Sequence, residues 1–336
     1  MGAAGSRRGG LVAGLVAAAG FATSGPVVKP LLAAGWSPGG AILVRLAIGT
    51  ALLAGPALWS LRGRYGLLRD EWRFLLAFGT IAVAGGSALY YLAVDRLPVA
   101  VALLVEYSAP LMLLAWGWAR TRRTPSPVVF AGAAVAMGGL VLVLDLSGSL
   151  DLDPVGLGFA LAAAVGNATY FALAARPTAL PPIGLAGAGM AIGMLTVAVL
   201  GLVRVLPVAT PSVHVDVLGA HLLWVVPILV VGAVPTAFAY AVSAMSVRML
   251  GERVASFVAL AEVLFAVLLA WLLLGEAPLP VQLVGAVLVV AGVALVRQGA
   301  SSPGGAPGDG SLTSEPAVAC AATAPCAGPE LDRVPA

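Results

Sequence analysis

Charge is what this 336-residue chain has least of: 10% of it is Asp, Glu, Lys or Arg, against 60% hydrophobic. Soluble domains average about 25% charged, so a water-soluble globule is excluded. The net charge of +3 is not a nucleic-acid signal; its distribution along the chain carries the information instead. Cysteine is almost missing. Cys320 and Cys326 both lie in the C-terminal tail, which rules out a disulfide framework holding the fold. The only two histidines are His214 and His221. Without a histidine in the apolar segments, no Ser/His or Cys/His constellation forms there, which weighs against an intramembrane hydrolase. With Asp216 the histidines have ligand-like spacing, but they stand in a connecting loop without further donors, so they read as solvated loop. No nucleotide-binding loop is present, and neither a cofactor nor a metal is called for.

What the chain has in excess is apolar length. Runs near 20 residues recur throughout, the length a helix needs to cross about 30 Å of hydrocarbon, and mean hydropathy is +1.03. Runs bounded by charge, Pro or Gly predict ten helices. The first five are Leu11–Leu31, Ala41–Ser60, Phe74–Val94, Val99–Trp118 and Val128–Leu144. The second five are Gly156–Ala175, Ile183–Val203, Leu222–Val242, Val254–Leu274 and Leu279–Val296. The fold class is therefore all-α integral membrane. Residues 299–336, rich in Gly, Pro, Ala and Ser without periodicity, read as a disordered cytoplasmic tail. Ser6-Arg7-Arg8 before an apolar run resembles a cleaved signal peptide, yet the run continues to Leu31, and cleavage would leave nine helices.

The few charges are sorted. Segments on one side of ten helices hold thirteen arginines (residues 7, 8, 62, 64, 69, 73, 120, 122, 123, 176, 248, 253 and 297), and the other side holds Lys29, Arg96 and Arg204. The positive-inside rule then places both termini in the cytoplasm. All seven tryptophans (36, 59, 72, 116, 118, 224 and 271) fall near predicted helix ends, as an aromatic belt would.

The chain is also written twice. Pro125-Ser126-Pro127-Val128, Gly132-Ala133, Gly139 and Leu142-Val143 recur 153 positions later as Pro278-Leu279-Pro280-Val281, Gly285-Ala286, Gly292 and Leu295-Val296. Upstream, Glu106 and Glu262 each interrupt an apolar helix, 156 positions apart. Five helices per copy is an odd number, so residues 1–150 and 151–298 are expected as two inverted five-helix repeats, an arrangement that places a site at the midplane. The paired glycines, seven apart and hence on one face, read as packing surfaces.

A carboxylate at a helix centre costs insertion about 2.5–3.5 kcal/mol, and each Leu, Val or Phe returns about 0.3–0.6. With eight such residues the Glu106 helix roughly breaks even, while the Glu262 helix, with thirteen, inserts with margin. Neither side chain faces lipid comfortably. A substrate or proton pathway is one reading; an interhelical hydrogen bond, for Glu106 with Arg45, is the other. Arg45 itself has three readings: snorkelling outward, pairing with Glu106, or holding an anionic substrate group. Tyr91, Ser108, Asn167, Tyr170 and Tyr240 are further polar candidates for a cavity lining. Tyr90, Thr169 and Tyr107 belong to the same class, and Pro110 and Pro235 are candidate kinks. Residue types near Glu106 (Ser108, Tyr107, Arg45) suggest that it is the ionised carboxylate, and the apolar neighbours of Glu262 suggest a neutral, bonded one.

Ala261-Glu262-Val263-Leu264-Phe265-Ala266 through Trp271-Leu272-Leu273-Leu274-Gly275-Glu276 is similar to the Glu-Pro-Val-Phe-Ala…Leu-Gly-Glu signature of the EamA family of the drug/metabolite transporter superfamily. Ala88-Leu89-Tyr90-Tyr91-Leu92-Ala93, Lys29 and Arg45 resemble its first three helices. Val263 replaces the signature Pro, and the first copy has Arg123 where the second has Glu276. Glu106-Tyr107-Ser108-Ala109-Pro110 is similar to the threonine/homoserine exporter branch. The resemblance implies a secondary transporter, not an enzyme: an exporter of amino acids or related small polar compounds or drugs, working by alternating access and driven by protons or exchange. Its partners would be a small-molecule substrate, the lipid bilayer and protons, with a homodimer left open and no nucleic acid. A non-transporting scaffold or partner subunit is the alternative, although a scaffold has no use for buried charge.

Overall fold

The structure, a computed structural model, describes residues 3–94, 96–97, 99–122, 124–144, 153–217, 219–274 and 278–301. The tail from residue 302 on, Arg123, Gly275, Glu276 and the acidic stretch 145–152 lie outside the described residues, while residues 299–301 of the expected tail continue the last helix. The first half contains α1 (Ala3–Ala22), α2 (Ser24–Ala33), α3 (Pro38–Ser60), a short α4 (Gly66–Asp70), α5 (Trp72–Ala77) and α6 (Gly86–Val94). It continues with α7 (Val99–Glu106), α8 (Ala109–Thr121) and α9 (Pro127–Val143). The second half contains α10 (Pro154–Ala175), α11 (Pro182–Leu202), α12 (Val225–Val231), α13 (Ala239–Leu250), α14 (Glu252–Ala259), α15 (Ala261–Leu274) and α16 (Pro280–Ser301).

Among the described residues seven helical segments are long and apolar enough to cross a membrane: Pro38–Ser60, Trp72–Val94, Val101–Thr121, Pro154–Ala175, Pro182–Leu202, Val225–Leu250 and Pro280–Gly299. The other three expected segments are shorter or interrupted. The first breaks at Thr23, whose hydroxyl donates to the Gly20 carbonyl at 2.7 Å. The fifth spans 17 residues. The ninth breaks at Leu260, between α14 and α15.

One departure from an all-helical chain is a hairpin, β1 (His214–Val217) and β2 (Ala220–Leu223), paired antiparallel with Asp216 opposite His221. Its second strand takes Leu222 and Leu223 from the expected eighth helix, which starts only at Val225 and runs on to Leu250. The cause is anchoring from below. Trp36 is buried, donates its indole N–H to the Pro211 carbonyl at 3.0 Å, and packs on Trp224 at 5.4 Å. Ser37 caps α3 by accepting from the Gly40 N–H and donates to the Pro207 carbonyl. Trp36 therefore leaves the expected belt, whereas Trp59, Trp72, Trp116, Trp118 and Trp271 are exposed on the apolar surface.

Helix packing follows the duplication. On α9, a Cβ added at Gly139 would meet the Gly285 carbonyl at 2.6 Å, and one at Gly132 would meet the Gly292 carbonyl at 2.8 Å. The converse contacts hold for Gly285 and Gly292 on α16, so the two helices run antiparallel in backbone contact. A second reciprocal pair joins each copy's first helix to the third helix of the other. A Cβ at Gly166 on α10 would meet Gly86 Cα at 2.8 Å, and one at Gly20 on α1 would meet Ala239 Cβ at 3.0 Å. Gly156 meets Arg96 and Leu97, as Gly10 meets Met249 and Leu250. Within these pairs the α1 and α10 positions differ by 146, and the others by 153.

Candidate functional site

The third helix of each copy is locally underwound, and at the same place. Phe78–Gly85 is a π-helical stretch between α5 and α6, and Gly232–Phe238 is another between α12 and α13. In the second the cause is visible: Pro235 has no N–H to give the Val231 carbonyl, and the Thr236 hydroxyl supplies the donor at 2.8 Å. Such bulges are frequent at functional sites. Downstream of the first, Ser87, Tyr90 and Tyr91 line a cavity; downstream of the second, Tyr240 and Ser243 line the same cavity.

The fourth helix of each copy is broken beside its carboxylate. Pro110 cannot donate to the Glu106 carbonyl, and the chain turns through Tyr107-Ser108 between α7 and α8. Glu106 thus ends a half-helix. In the second copy three-residue turns at Leu260 (its N–H to the Phe257 carbonyl at 3.1 Å, its own carbonyl taking Val263 N–H at 3.2 Å) precede Glu262. Glu262 therefore stands in the first turn of α15. The two ends carry dipoles of opposite sign: Glu262 sits at a positive helix end, in the cavity that Tyr107 also lines, while Glu106 sits at a negative end. The surroundings of Glu262 are thus more polar than its sequence neighbours suggest.

The cavity, about 570 Å³, is lined by helices of both halves. Of the candidate residues, Arg45, Tyr91, Glu106, Asn167, Tyr170, Tyr240 and Glu262 all line it. Ser108 does not: the break that Pro110 imposes turns its hydroxyl back to the Val105 carbonyl at 2.6 Å. Thr169 is likewise tied to its own helix, at the Val165 carbonyl. Arg45 does not snorkel. It is 8% exposed, donates Nη2 to Ser87 Oγ at 2.6 Å and lies 5.9 Å over the Tyr91 ring, while its buried Nε has no partner. Among the described residues Arg45 forms no ion pair, with Glu106 or any other carboxylate. Among the described residues the cavity is thus lined by one guanidinium, two carboxylates and the rings of Tyr90, Tyr91, Tyr107, Tyr170 and Tyr240.

Ser87, Ser243 and Phe21 were not among the sequence candidates, since a hydroxyl or a ring in an apolar helix is common. The duplication marks the first two: Ser87 and Tyr240 are 153 apart, as are Tyr90 and Ser243. Outside the cavity, His214 and His221 stack at 5.3 Å on the hairpin, and His221 Nδ1 meets Asp216 at 2.7 Å. Among the described residues no three metal-ligating groups converge.

The EamA-like transporter family matches residues 8–145 and 154–298, once in each half. The chain is similar to the threonine/homoserine exporter RhtA of Escherichia coli strain K12, 28% identical over 284 residues, covering 82% of this chain and 87% of that protein. It is also similar to RhtA of Salmonella typhimurium strain LT2, 27% identical over 281 residues with the same coverage. A solved crystal structure at 20% identity superposes with a TM-score of 0.70, covering 85% of this chain and 95% of that one, and shares the fold.

Proposed function

The chain belongs to the EamA-like transporter family of the drug/metabolite transporter superfamily, and from that premise we propose that it exports small zwitterionic amino acids or related compounds across the cytoplasmic membrane. The observation that carries this reading is the set of charges lining one cavity: Arg45, with no carboxylate partner among the described residues, together with Glu106 and Glu262. An unpaired guanidinium in a low-dielectric interior is costly, and a substrate carboxylate relieves it with a charge-assisted, bidentate fit. The ammonium of the same substrate goes to the carboxylates, with Tyr91, Tyr240 and Tyr170 forming the walls of the pathway. A proton held by the carboxylate pair and displaced by that ammonium makes proton exchange the natural coupling.

Alternating access is the proposed mechanism, with ten helices forming two inverted five-helix repeats (residues 1–150 and 151–298). Two features support the inversion: the antiparallel, reciprocal contact of α9 with α16, and the paired contacts at constant offsets of 146 and 153. The Arg/Lys asymmetry supports cytoplasmic termini. Overexpression with profiling of the medium tests export: zwitterionic amino acids accumulate outside, and an Arg45→Gln variant at equal membrane level abolishes the accumulation. A medium identical to that of the empty-vector control contradicts the proposal.

A further inference from the structure

The cavity does not run the length of the bundle. Toward the end that carries the β-hairpin its lining follows the helices almost to their tips. Leu32 stands one residue from the end of α2, Val94 ends α6, and Leu103 stands one turn into α7. Toward the other end, where α1 begins beside Leu250, the lining stops at Phe21, Ala82, Phe171 and Ser243. Beyond those positions the interior is filled. Phe78 is fully buried with its ring 5.6 Å from that of Tyr170, and Phe74 follows at 6.4 Å. Ala174 and Val247, one turn past Phe171 and Ser243, are buried as well.

At the filled end the connection between α10 and α11 is tied to both halves. Arg176 lies 5.0 Å over the Phe74 ring of the first half. The Thr178 hydroxyl donates to Glu71 Oε1 at 3.1 Å and accepts from the Leu180 N–H at 3.1 Å, and the Leu180 side chain is fully buried. From α13 of the second half, Arg248 donates Nη1 to the Thr178 carbonyl at 3.5 Å, while its buried Nε and Nη2 have no partner among the described residues. Leaving those donors unpaired costs free energy, so the closed end carries an opposing term of its own. We infer that residues 176–180 are the latch of a gate at this end, with the Phe74 and Phe78 rings as its plug. This rests on the alternating access and the orientation proposed above, in which the latched end is cytoplasmic and the cavity faces outward. Loading from the cytoplasm then requires Arg176 to leave Phe74 and Thr178 to leave Glu71, a local opening of the kind that gates transport sites.

Sidedness of access to the cavity is the test. Ser243→Cys places a thiol on the cavity wall of the full chain, with the tail cysteines removed by Cys320→Ser and Cys326→Ser. A membrane-impermeant maleimide is applied from outside, on intact cells, and from the cytoplasmic side, on inside-out vesicles, with membrane level quantified. With the latch intact, labelling should be roughly tenfold faster from outside, the bias that one hydrogen bond to a charged group gives a two-state equilibrium. Thr178→Val, isosteric but without the hydroxyl, should bring the ratio of the two rates to near one. Arg176→Ala, which removes an exposed cation–π contact, should bring it part of the way and serves if Thr178→Val does not insert. Equal, reversed or absent labelling with the latch intact overturns the inference. So does a ratio that neither variant moves, as contacts that merely pack the loop would give. These results leave export standing, because labelling needs no substrate. Labelling as expected in a chain that exports no amino acid overturns the export reading alone.

Discussion

The two halves of the molecule pack alike but are chemically unlike. Gly20 meets Ala239 as Gly166 meets Gly86, and Gly10 meets Leu250 as Gly156 meets Leu97. Gly49 meets Thr236 as Gly193 meets Val83. On that last correspondence, 144 positions apart on α3 and α11, the counterpart of Arg45 is Gly189, and the Phe78 ring lies 2.5 Å from where its Cβ would be. A guanidinium in one copy is thus an aromatic ring seated on glycine in the other. Ser87 exchanges with Tyr240, Tyr90 with Ser243, Phe21 with Asn167 and Ser24 with Tyr170, while of the charged groups lining the cavity only Glu106 and Glu262 are kept. Close helix contact depends on the absence of Cβ atoms, which tolerates little change. A binding cavity for an asymmetric molecule needs asymmetric walls.

The contact common to both halves is the most sensitive to substitution. Gly292→Leu drives a side chain into the Gly132 carbonyl, 2.6 Å from the new Cβ. Overpacking of that kind costs about 1–3 kcal/mol or more, and here backbone must move. Folded protein recovered from membranes should fall to background, whereas Gly138→Leu, whose Cβ meets nothing within 4 Å, should be recovered normally. Equal recovery would break the packing half of the comparison.

Arg45→Gln comes next. It removes the cavity's only cation among the described residues, so efflux should fall at least a hundredfold at unchanged membrane level, given about 1.5–3 kcal/mol per charged hydrogen bond and two such bonds lost. Third, Glu106→Gln and Glu262→Gln should each reduce efflux by roughly 10–100-fold, and by similar factors, since both carboxylates face one cavity. Residue types along the chain suggest instead that Glu262 is neutral and that Glu262→Gln is the milder of the two. A loss in Glu262→Gln much milder than in Glu106→Gln would favour that sequence-based expectation over the geometry. The smallest effect is expected at the N-terminus of α10. Asp153 accepts from the Val155 and Gly156 N–H groups, and those bonds, with Arg96 beside it, hold its carboxyl below the usual carboxylate range. A depressed value stabilises the cap at neutral pH and loses it as pH falls through that low range. Asp153→Ala should therefore change thermal stability slightly at neutral pH and not at all in strong acid.

The carboxylates were legible in the sequence because a charge in an apolar run has few explanations, and the glycine pairs because spacing repeats. The hairpin was not: His214–Leu223 is short and half apolar, and what holds it is Trp36, almost two hundred positions earlier. Ser108 misled for the opposite reason. It stands two residues from Glu106, but Pro110 turns the chain between them, so proximity in sequence is not proximity in the cavity. Ser87 and Ser243 are ordinary hydroxyls until the π-helical stretches aim them inward.

The central claim is that substrate is held by both of its charges, between Arg45 of one copy and the carboxylates of both. The most direct test is efflux from one vesicle preparation of three matched compounds: an amino acid, its amide, which lacks the carboxylate, and its deaminated acid, which lacks the ammonium. Only the zwitterion should be exported, with the amide and the acid each at background. Export of the amide at the rate of the amino acid would contradict the role of Arg45, and with it the account.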